Sequence, residues 1–157
     1  MGNYDTDLLA WSEEQAALLR RVAAGERVNE ASLDWPNIIE EIETVGRSEL
    51  HAVESLLHQA LAHLLKIEGW PGTKYVRSWQ KEARVFRRQA RRRFSASMRQ
   101  HLDLAGIYQD ALDVIPDFMD GQAPLPLPPV CPLTLDELLD PSQDLIPSQP
   151  FRAAGQS

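Results

Sequence analysis

The sequence predicts an all-α protein, an up-and-down bundle of about four helices followed by a proline-rich C-terminal arm. Apolar residues recur at spacings of three and four through most of the first 115 positions, which is the period of an amphipathic helix. Neither strict alternation nor an Asn-Gly hairpin signal occurs. From Gly121 onward the composition changes, with five prolines between Pro124 and Pro132. We therefore expect a helical bundle over residues 1–120, an arm with a short helix over 121–140, and a disordered tail over 141–157.

The first helix is predicted from about Thr6 to Ala24. Trp11 and Leu18 lie on its apolar stripe, and Gly25 follows as a stop signal. Together with the tryptophans at positions 35 and 79, Trp11 is interpreted as a core anchor.

The second helix begins at Asp34-Trp35-Pro36, where a carboxylate can cap the helix and proline fits its first turn. The pattern predicts one helix from about Trp35 to Glu68. Its apolar stripe keeps its phase through Ile39, Ile42, Gly46, Leu50, Val53, Leu57, Ala60 and Leu64. The alternative is a break at Gly46, with Ser48 capping a separate helix.

Three further helices follow. The third is predicted from about Tyr75 to Phe94, and the fourth begins near Ser95 or Ser97 and reaches Ile115, before Pro116. After the prolines, Thr134-Leu-Asp-Glu137 forms a capping-box pattern ahead of two leucines. A short helix docked by those leucines is expected there.

Charge is sorted into three blocks. The formal net charge of −7 argues against a protein that is basic all over. That total conceals a segment of +9 at residues 74–100 between two segments of −8. Most of the positive charge lies on one side of the third helix, the basic face, which comprises Arg77, Lys81, Arg84, Arg88, Arg91 and Arg92.

Three interpretations of the basic face stay open. Carboxylates of neighbouring helices, such as Glu40, Glu41 and Glu43, would neutralise it through ion pairs. Alternatively, the face is an exposed surface for phosphate or nucleic acid. The third interpretation is a surface for an acidic protein partner or a membrane.

No motif for catalysis or for a cofactor is present. A polar ridge on the second helix includes Glu54 and His58, which at this spacing offer two metal ligands. A third ligand is not identifiable, so we predict no metal, no cofactor and no catalytic residue. Nothing near Cys131 would activate its thiol. The Gly-rich phosphate loops and the Gly-x-Ser-x-Gly elbow are missing as well.

Several separated motifs resemble a known family. They cover about residues 4–140 and comprise Tyr4-Asp5-x-Asp7, Trp11, Gln15, Leu33-Asp34-Trp35, Glu40-Glu41-Ile42-Glu43, Gly46-Arg47-Ser48-Glu49, Leu61-Ala62-His63-Leu64-Leu65-Lys66, Ser78-Trp79, Arg87 and Cys131-Pro132-x-Thr134. In these residues the chain is similar to the domain-of-unknown-function family 29. The resemblance implies an all-helical, bundle-like fold and a bacterial cytoplasmic setting, but it supplies no activity.

The motifs also indicate a set of polar-network candidates. If the second and third helices face each other, carboxylates and arginines at the borders of their apolar stripes can form a partly buried network. The candidates are Glu40, Glu43, Arg47, His63, Trp79 and Arg87. Such a network would specify helix register rather than catalyse a reaction.

We predict a non-enzymatic helical module for protein–protein interaction or assembly, with a protein partner or self-association. An amphipathic body without a catalytic motif supports it, and so does a proline-rich arm able to dock elsewhere. The alternative is a nucleic-acid-associated protein that uses the basic face. A weaker alternative is a helical metal-dependent enzyme built on Glu54 and His58. The single cysteine, the acidic start and the lack of ~18 consecutive apolar residues predict a cytoplasmic protein.

Overall fold

The computed structural model describes residues 3–140 and Ser142, and this part of the chain is helical and contains no strand. Its α-helices are α1 (Leu8–Ala23), α2 (Trp35–Gly69), α3 (Val76–Arg93), α4 (Leu104–Asp113) and α5 (Leu135–Leu139). Short 3₁₀ turns lie at Glu30–Ser32 and Ala96–Gln100. The prediction of an all-α fold is confirmed. The predicted tail, residues 141–157, lies outside the described residues except for Ser142.

The ends of α1 follow from local chemistry. The Asp7 carboxylate accepts a hydrogen bond from the backbone N–H of Ala10 at 3.0 Å and caps the first turn. At the other end Gly25 adopts a φ of 81°, a left-handed conformation that favours glycine, and ends the helix where the sequence predicted a stop.

Helix α2 is continuous from Trp35 through Gly46 to Gly69. The single-helix prediction is confirmed, and the alternative break at Gly46 is wrong. The apolar stripe of α2 keeps its phase across Gly46, so the pattern that predicts burial on one face holds along the whole helix.

The predicted fourth helix is wrong in its first half. Ser95 and Ser97 cap no α-helix, since their hydroxyls lie 3.3 Å from each other and the segment forms a 3₁₀ turn. Helix α4 starts instead after Asp103, whose carboxylate accepts from the backbone N–H of Gly106 at 3.0 Å. The stronger cap therefore sets the start of α4.

The chain divides between Ser48 and Glu49 into two compact units. In the N-terminal unit, the described residues up to Ser48, a small core forms around Trp11, Leu33 and Ile38. Trp35, interpreted from sequence as a core anchor, is 45% exposed instead. It begins α2 on a face that the unit's own core leaves uncovered.

The C-terminal unit, the described residues from Glu49 on, contains the larger core. Leu57, Leu61 and Leu65 of α2 are fully buried there against residues of α3, α4 and α5, among them Tyr108 and Leu138. A smaller adjoining cluster surrounds Ile67, Trp70 and Trp79, which agrees with the interpretation of Trp79 as an anchor.

The proline-rich segment is held on the C-terminal unit by hydrogen bonds to its backbone. The indole N–H of Trp70 donates to the carbonyl of Gln122 at 2.9 Å, and the hydroxyl of Tyr108 donates to the carbonyl of Pro128 at 2.6 Å. Leu133, just beyond, is buried in the core. These contacts place the segment on its own unit, and the expectation that the arm is able to dock elsewhere stays a prediction.

Candidate functional site

The basic face of α3 is open to solvent. All six of its side chains are exposed. Four of them, Arg77, Lys81, Arg88 and Arg92, form no ion pair, hydrogen bond or ring contact with any residue between 3 and 140. Arg91, by contrast, donates to the carbonyl of Leu139 at 3.2 Å.

The opposite side of α3 fixes this orientation. Trp79, Ala83 and Ala90 are buried in the C-terminal unit, so the charged side of the helix must point outward. An amphipathic helix anchored in this way presents its cations on a rigid support.

The carboxylates proposed to neutralise the basic face are engaged within the N-terminal unit. Glu40 and Glu43 lie 2.7 and 3.5 Å from the guanidinium of Arg47. Glu41 accepts a hydrogen bond from the hydroxyl of Tyr4 at 2.6 Å. These contacts give the three carboxylates partners within their own unit, and the interpretation that they neutralise the basic face stays a prediction.

The structure brings three of the six polar-network candidates together. Glu40, Glu43 and Arg47 form an ion-pair cluster along about two turns of α2, and all three side chains are exposed. Exposed pairs of this kind contribute little to stability, about 0–1 kcal/mol. The remaining candidates, His63, Trp79 and Arg87, lie in the C-terminal unit and have other partners.

Arg87 is buried on the inner side of α3, with 4% of its surface exposed. Its guanidinium donates to the carbonyls of Leu138 at 2.8 Å and Glu137 at 3.1 Å, and also to that of Asp140. These carbonyls lie at the end of α5, where a helix leaves carbonyls without intrahelical donors, and only that of Glu137 also accepts from a backbone N–H, that of Asp140 at 3.3 Å. Arg87 thus caps a neighbouring helix. The sequence signal was present, because Arg87 interrupts the apolar side of a helix whose other arginines lie opposite.

His63 is largely buried between α2 and α3. Its Nε2 lies 2.6 Å from a carboxylate oxygen of Glu82, and its Nδ1 lies 2.7 Å from the carbonyl oxygen of Gln59. The ring also packs against Phe86, with centroids 5.5 Å apart. Both ring nitrogens are occupied, so the imidazole joins the two helices and is not poised as a free ligand.

A hydrogen-bonded cluster in the N-terminal unit was not predicted from the sequence as a site. The carboxylate of Asp34 accepts from the indole of Trp11 at 3.0 Å and from the amide of Asn37 at 2.7 Å. These donors, Asn37 first, lower the pKa of Asp34. The Gln15 side chain accepts from the Asp34 backbone at 2.8 Å and donates to a carbonyl of the preceding turn. The cluster joins α1 to the start of α2.

Tyr4 adds a second link between the same elements. Its hydrogen bond to Glu41, followed by burial, raises the pKa of the Tyr4 phenol to about 12. Its ring meets that of Trp11 edge to face, with centroids 4.9 Å apart. Because the side chains of Tyr4, Trp11 and Asp34 all form hydrogen bonds within this cluster, we regard the cluster as structural.

An exposed apolar stripe lies on the first part of α2. We define the exposed stripe as Trp35, Ile39, Ile42 and Val45, which are between 45% and 68% exposed. The first three share a phase with Val53 and Leu57, which are fully buried in the C-terminal unit. Adjacent exposed apolar side chains of this size are typical of interaction surfaces.

The residues considered from sequence for metal binding and for thiol chemistry, Glu54, His58 and Cys131, lie in surroundings that do not favour either. Glu54 pairs with His51 at 3.0 Å, and no cluster of three metal-binding side chains occurs within the described part of the chain. Burial raises the pKa of the Cys131 thiol, which disfavours its reactive thiolate. None of the described helices is both long and apolar enough to cross a membrane.

Comparisons with known proteins agree with this fold. The structure is similar to the crystal structure of an alpha-helical protein of unknown function from Rhodospirillum rubrum, with 28% identity and a TM-score of 0.62. The match covers 89% of this chain and 90% of that one. No curated protein matches the chain. The model of a domain of unknown function, DUF29, matches residues 3–143, and the chain belongs to the DUF29 family.

Proposed function

We propose that this chain is a non-enzymatic interaction module that binds an acidic protein surface through the basic face of α3. The observation that carries the proposal is the exposure of Arg77, Lys81, Arg88 and Arg92 without an ion-pair partner in the described structure. Guanidinium groups pair well with carboxylates, in a planar, two-pronged geometry.

The arrangement of the charges favours a macromolecular partner over a small ligand. From Arg77 to Arg91 the basic face extends about 21 Å at ~1.5 Å per residue. The groove beside it, lined by His63, Lys81 and Glu82 among others, is open to solvent. A long, flat and charged surface suits an extended acidic partner and does not enclose a metabolite.

Binding to a model polyanion tests the proposal. Fluorescence anisotropy with a labelled poly-L-glutamate probe, at about 50 and 200 mM salt, is compared for the wild type and for Lys81→Gln/Arg88→Gln. We expect the double variant to bind about tenfold more weakly at low salt, because it loses two of the exposed charges.

The matched control is Arg20→Gln/Arg27→Gln, which removes two exposed cations of the N-terminal unit. It should bind poly-L-glutamate nearly as well as the wild type, since the effect of net charge alone is the same in both variants. Equal losses in the two double variants would show that the basic face has no special role and would overturn the proposal.

The same open face favours a second candidate, association with nucleic acid. Arginines in a row on one helix can neutralise successive phosphates. A labelled 20-base-pair duplex at the same two salt concentrations discriminates the candidates. Duplex binding that persists at 200 mM salt and differs between sequences would favour nucleic acid. Binding that disappears at 200 mM without sequence preference would reflect nonspecific electrostatics only.

We further propose that the protein acts in the cytoplasm. Support comes from its cysteine content, because the single Cys131 cannot form an internal disulfide and its thiol is half-buried. An oxidising compartment would therefore add no stabilising internal disulfide to this protein. Fractionation of cells that express a tagged chain tests this proposal directly, and recovery in the periplasmic fraction would contradict it.

A further inference from the structure

The exposed stripe continues an apolar pattern that is buried elsewhere on the same helix. From Val53 onward, the α2 stripe is covered by the core of the C-terminal unit. From Trp35 to Val45, the N-terminal unit covers only Ile38 and leaves its neighbours in solvent, with Ile42 at 68% exposure. Burying three such side chains would be worth several kcal/mol at ~25 cal/mol per Å². This stretch of α2 therefore exposes apolar surface that a partner could bury.

Gly46 supports the same conclusion independently. It lies in the middle of α2 on the phase of the stripe, and a Cβ added to it would meet nothing within 4 Å. Glycine costs a helix interior about 1 kcal/mol relative to alanine. No contact within the described chain requires a glycine at this position. A helix of a partner that crossed close to the backbone here would require one.

Charge identifies what can cover the stripe. Residues 3–48 carry ten acidic and four basic groups. Pairing the stripe with the same stripe of another copy would bring two acidic units together, which is unfavourable. The basic face of α3 has the opposite charge, and beside Lys81 and Arg88 it presents the exposed apolar side chain of Val85.

We infer that the acidic partner is a second copy of this chain, whose exposed stripe packs on the basic face and Val85. This inference rests on the proposed function and names its partner. Each copy carries both surfaces, and a dimer in which both copies make this contact is twofold symmetric. At the rim of the contact the cations of α3 meet the net negative charge of the partner copy's N-terminal unit, and the centre is formed by the apolar side chains.

Sedimentation equilibrium across a concentration series tests the inference. We expect the wild type to dimerise and its dissociation constant to rise about tenfold between 50 and 300 mM salt, because opposite charges attract across the interface. Dimerisation that strengthens with salt would indicate pairing of two like-charged stripes and would overturn the inference. So would a chain that is monomeric at every concentration.

Two variants locate the contact. Ile42→Asp and Lys81→Glu/Arg88→Glu should each weaken dimerisation at least about tenfold. The control Phe118→Asp changes a side chain that is equally exposed, at 68%, but belongs to neither surface, and should dimerise like the wild type. Circular dichroism verifies folding, and Ile42→Ser replaces Ile42→Asp if the charged variant is unfolded. Unchanged dimerisation in either surface variant contradicts the inference.

The proposed function and the second-copy inference can be tested separately. Ile42→Asp leaves the basic face intact and should still bind poly-L-glutamate. A wild-type chain that binds this probe through α3 but never dimerises would refute the second copy as partner and leave the proposed function standing. A chain that neither dimerises nor binds the probe would refute both.

Discussion

A single buried arginine binds the C-terminal end of α5. Arg87 donates to carbonyls at the end of this five-residue helix, whose own backbone cap there is one hydrogen bond from the N–H of Asp140 to the carbonyl of Glu137. Cations are also favoured near a helix C-terminus by the helix dipole. At this scale, an arginine on the apolar side of a basic helix has a structural role, in contrast to the exposed side chains of Arg77, Arg88 and Arg92.

Arg87→Ala should lower the free energy of unfolding by about 3 kcal/mol, because buried carbonyls lose charged donors. Urea denaturation measures the effect. Arg88→Ala, on the exposed side of the same helix, is the control and should change stability by less than about 0.5 kcal/mol. Similar losses in both variants would contradict the capping role of Arg87.

Asp34 gives the N-terminal unit a pH-dependent contribution to stability. Hydrogen bonds from Asn37 and Trp11 lower its pKa below the ordinary value of 3.8. A carboxylate with a lowered pKa stabilises the folded state above that ordinary value, and the contribution is lost as the pH falls through the folded-state pKa.

Asp34→Asn should therefore lower the melting temperature at pH 7, and the difference from the wild type should shrink toward pH 3. Thermal unfolding followed by circular dichroism at both pH values measures this. Asp110→Asn, at an exposed site, should have no such effect. A difference for Asp34→Asn that is as large at pH 3 as at pH 7 would count against the carboxylate as its source.

At the scale of elements, helix boundaries could be predicted where a cap or a stop lies next to the apolar pattern. Gly25 ends α1 and the Thr134–Glu137 capping box starts α5, as the sequence indicated. The predicted start of the fourth helix was wrong because the segment contains three residues that can cap a helix, the two serines and Asp103. Contacts between distant segments, such as Arg87 with α5, depend on tertiary packing and leave only a weak trace in sequence.

Two glycines of α2 should respond oppositely to alanine. At Gly46 the added methyl group meets open space, so Gly46→Ala should stabilise the monomer by about 1 kcal/mol. At Gly69 the new Cβ would lie 3.0 Å from Cβ of Pro124 in the proline-rich segment, so Gly69→Ala should gain less or destabilise. Urea denaturation in dilute solution checks both. A loss of stability in Gly46→Ala would mean that this site is already covered in the monomer.

Helix α5 is expected to depend on its leucines. Leu138 is fully buried, and Leu138→Ala should cost about 3 kcal/mol of unfolding free energy by creating a cavity. Leu125 in the proline-rich segment is half exposed, and Leu125→Ala should cost less than about 1 kcal/mol. Equal effects would indicate that α5 is not docked as described.

For the whole molecule, the separation of charge along the chain was predictable, but its meaning was not. Composition shows a +9 segment between acidic ones, and it equally permits internal neutralisation or an open binding face. The partners of Glu40, Glu41 and Glu43 within their own unit could not be predicted from composition. Likewise, the α2 pattern predicts an apolar face but not which half of it is buried.

The most direct test of the central claim is a mixing experiment by sedimentation velocity. Ile42→Asp retains the basic face, and Lys81→Glu/Arg88→Glu retains the exposed stripe, so a mixture restores one of the two contacts. We predict that each variant alone sediments as a monomer and that the mixture forms a heterodimer, weaker than the wild-type dimer. A mixture that sediments as two monomers, at concentrations where the wild type is fully dimeric, would contradict the pairing of these two surfaces.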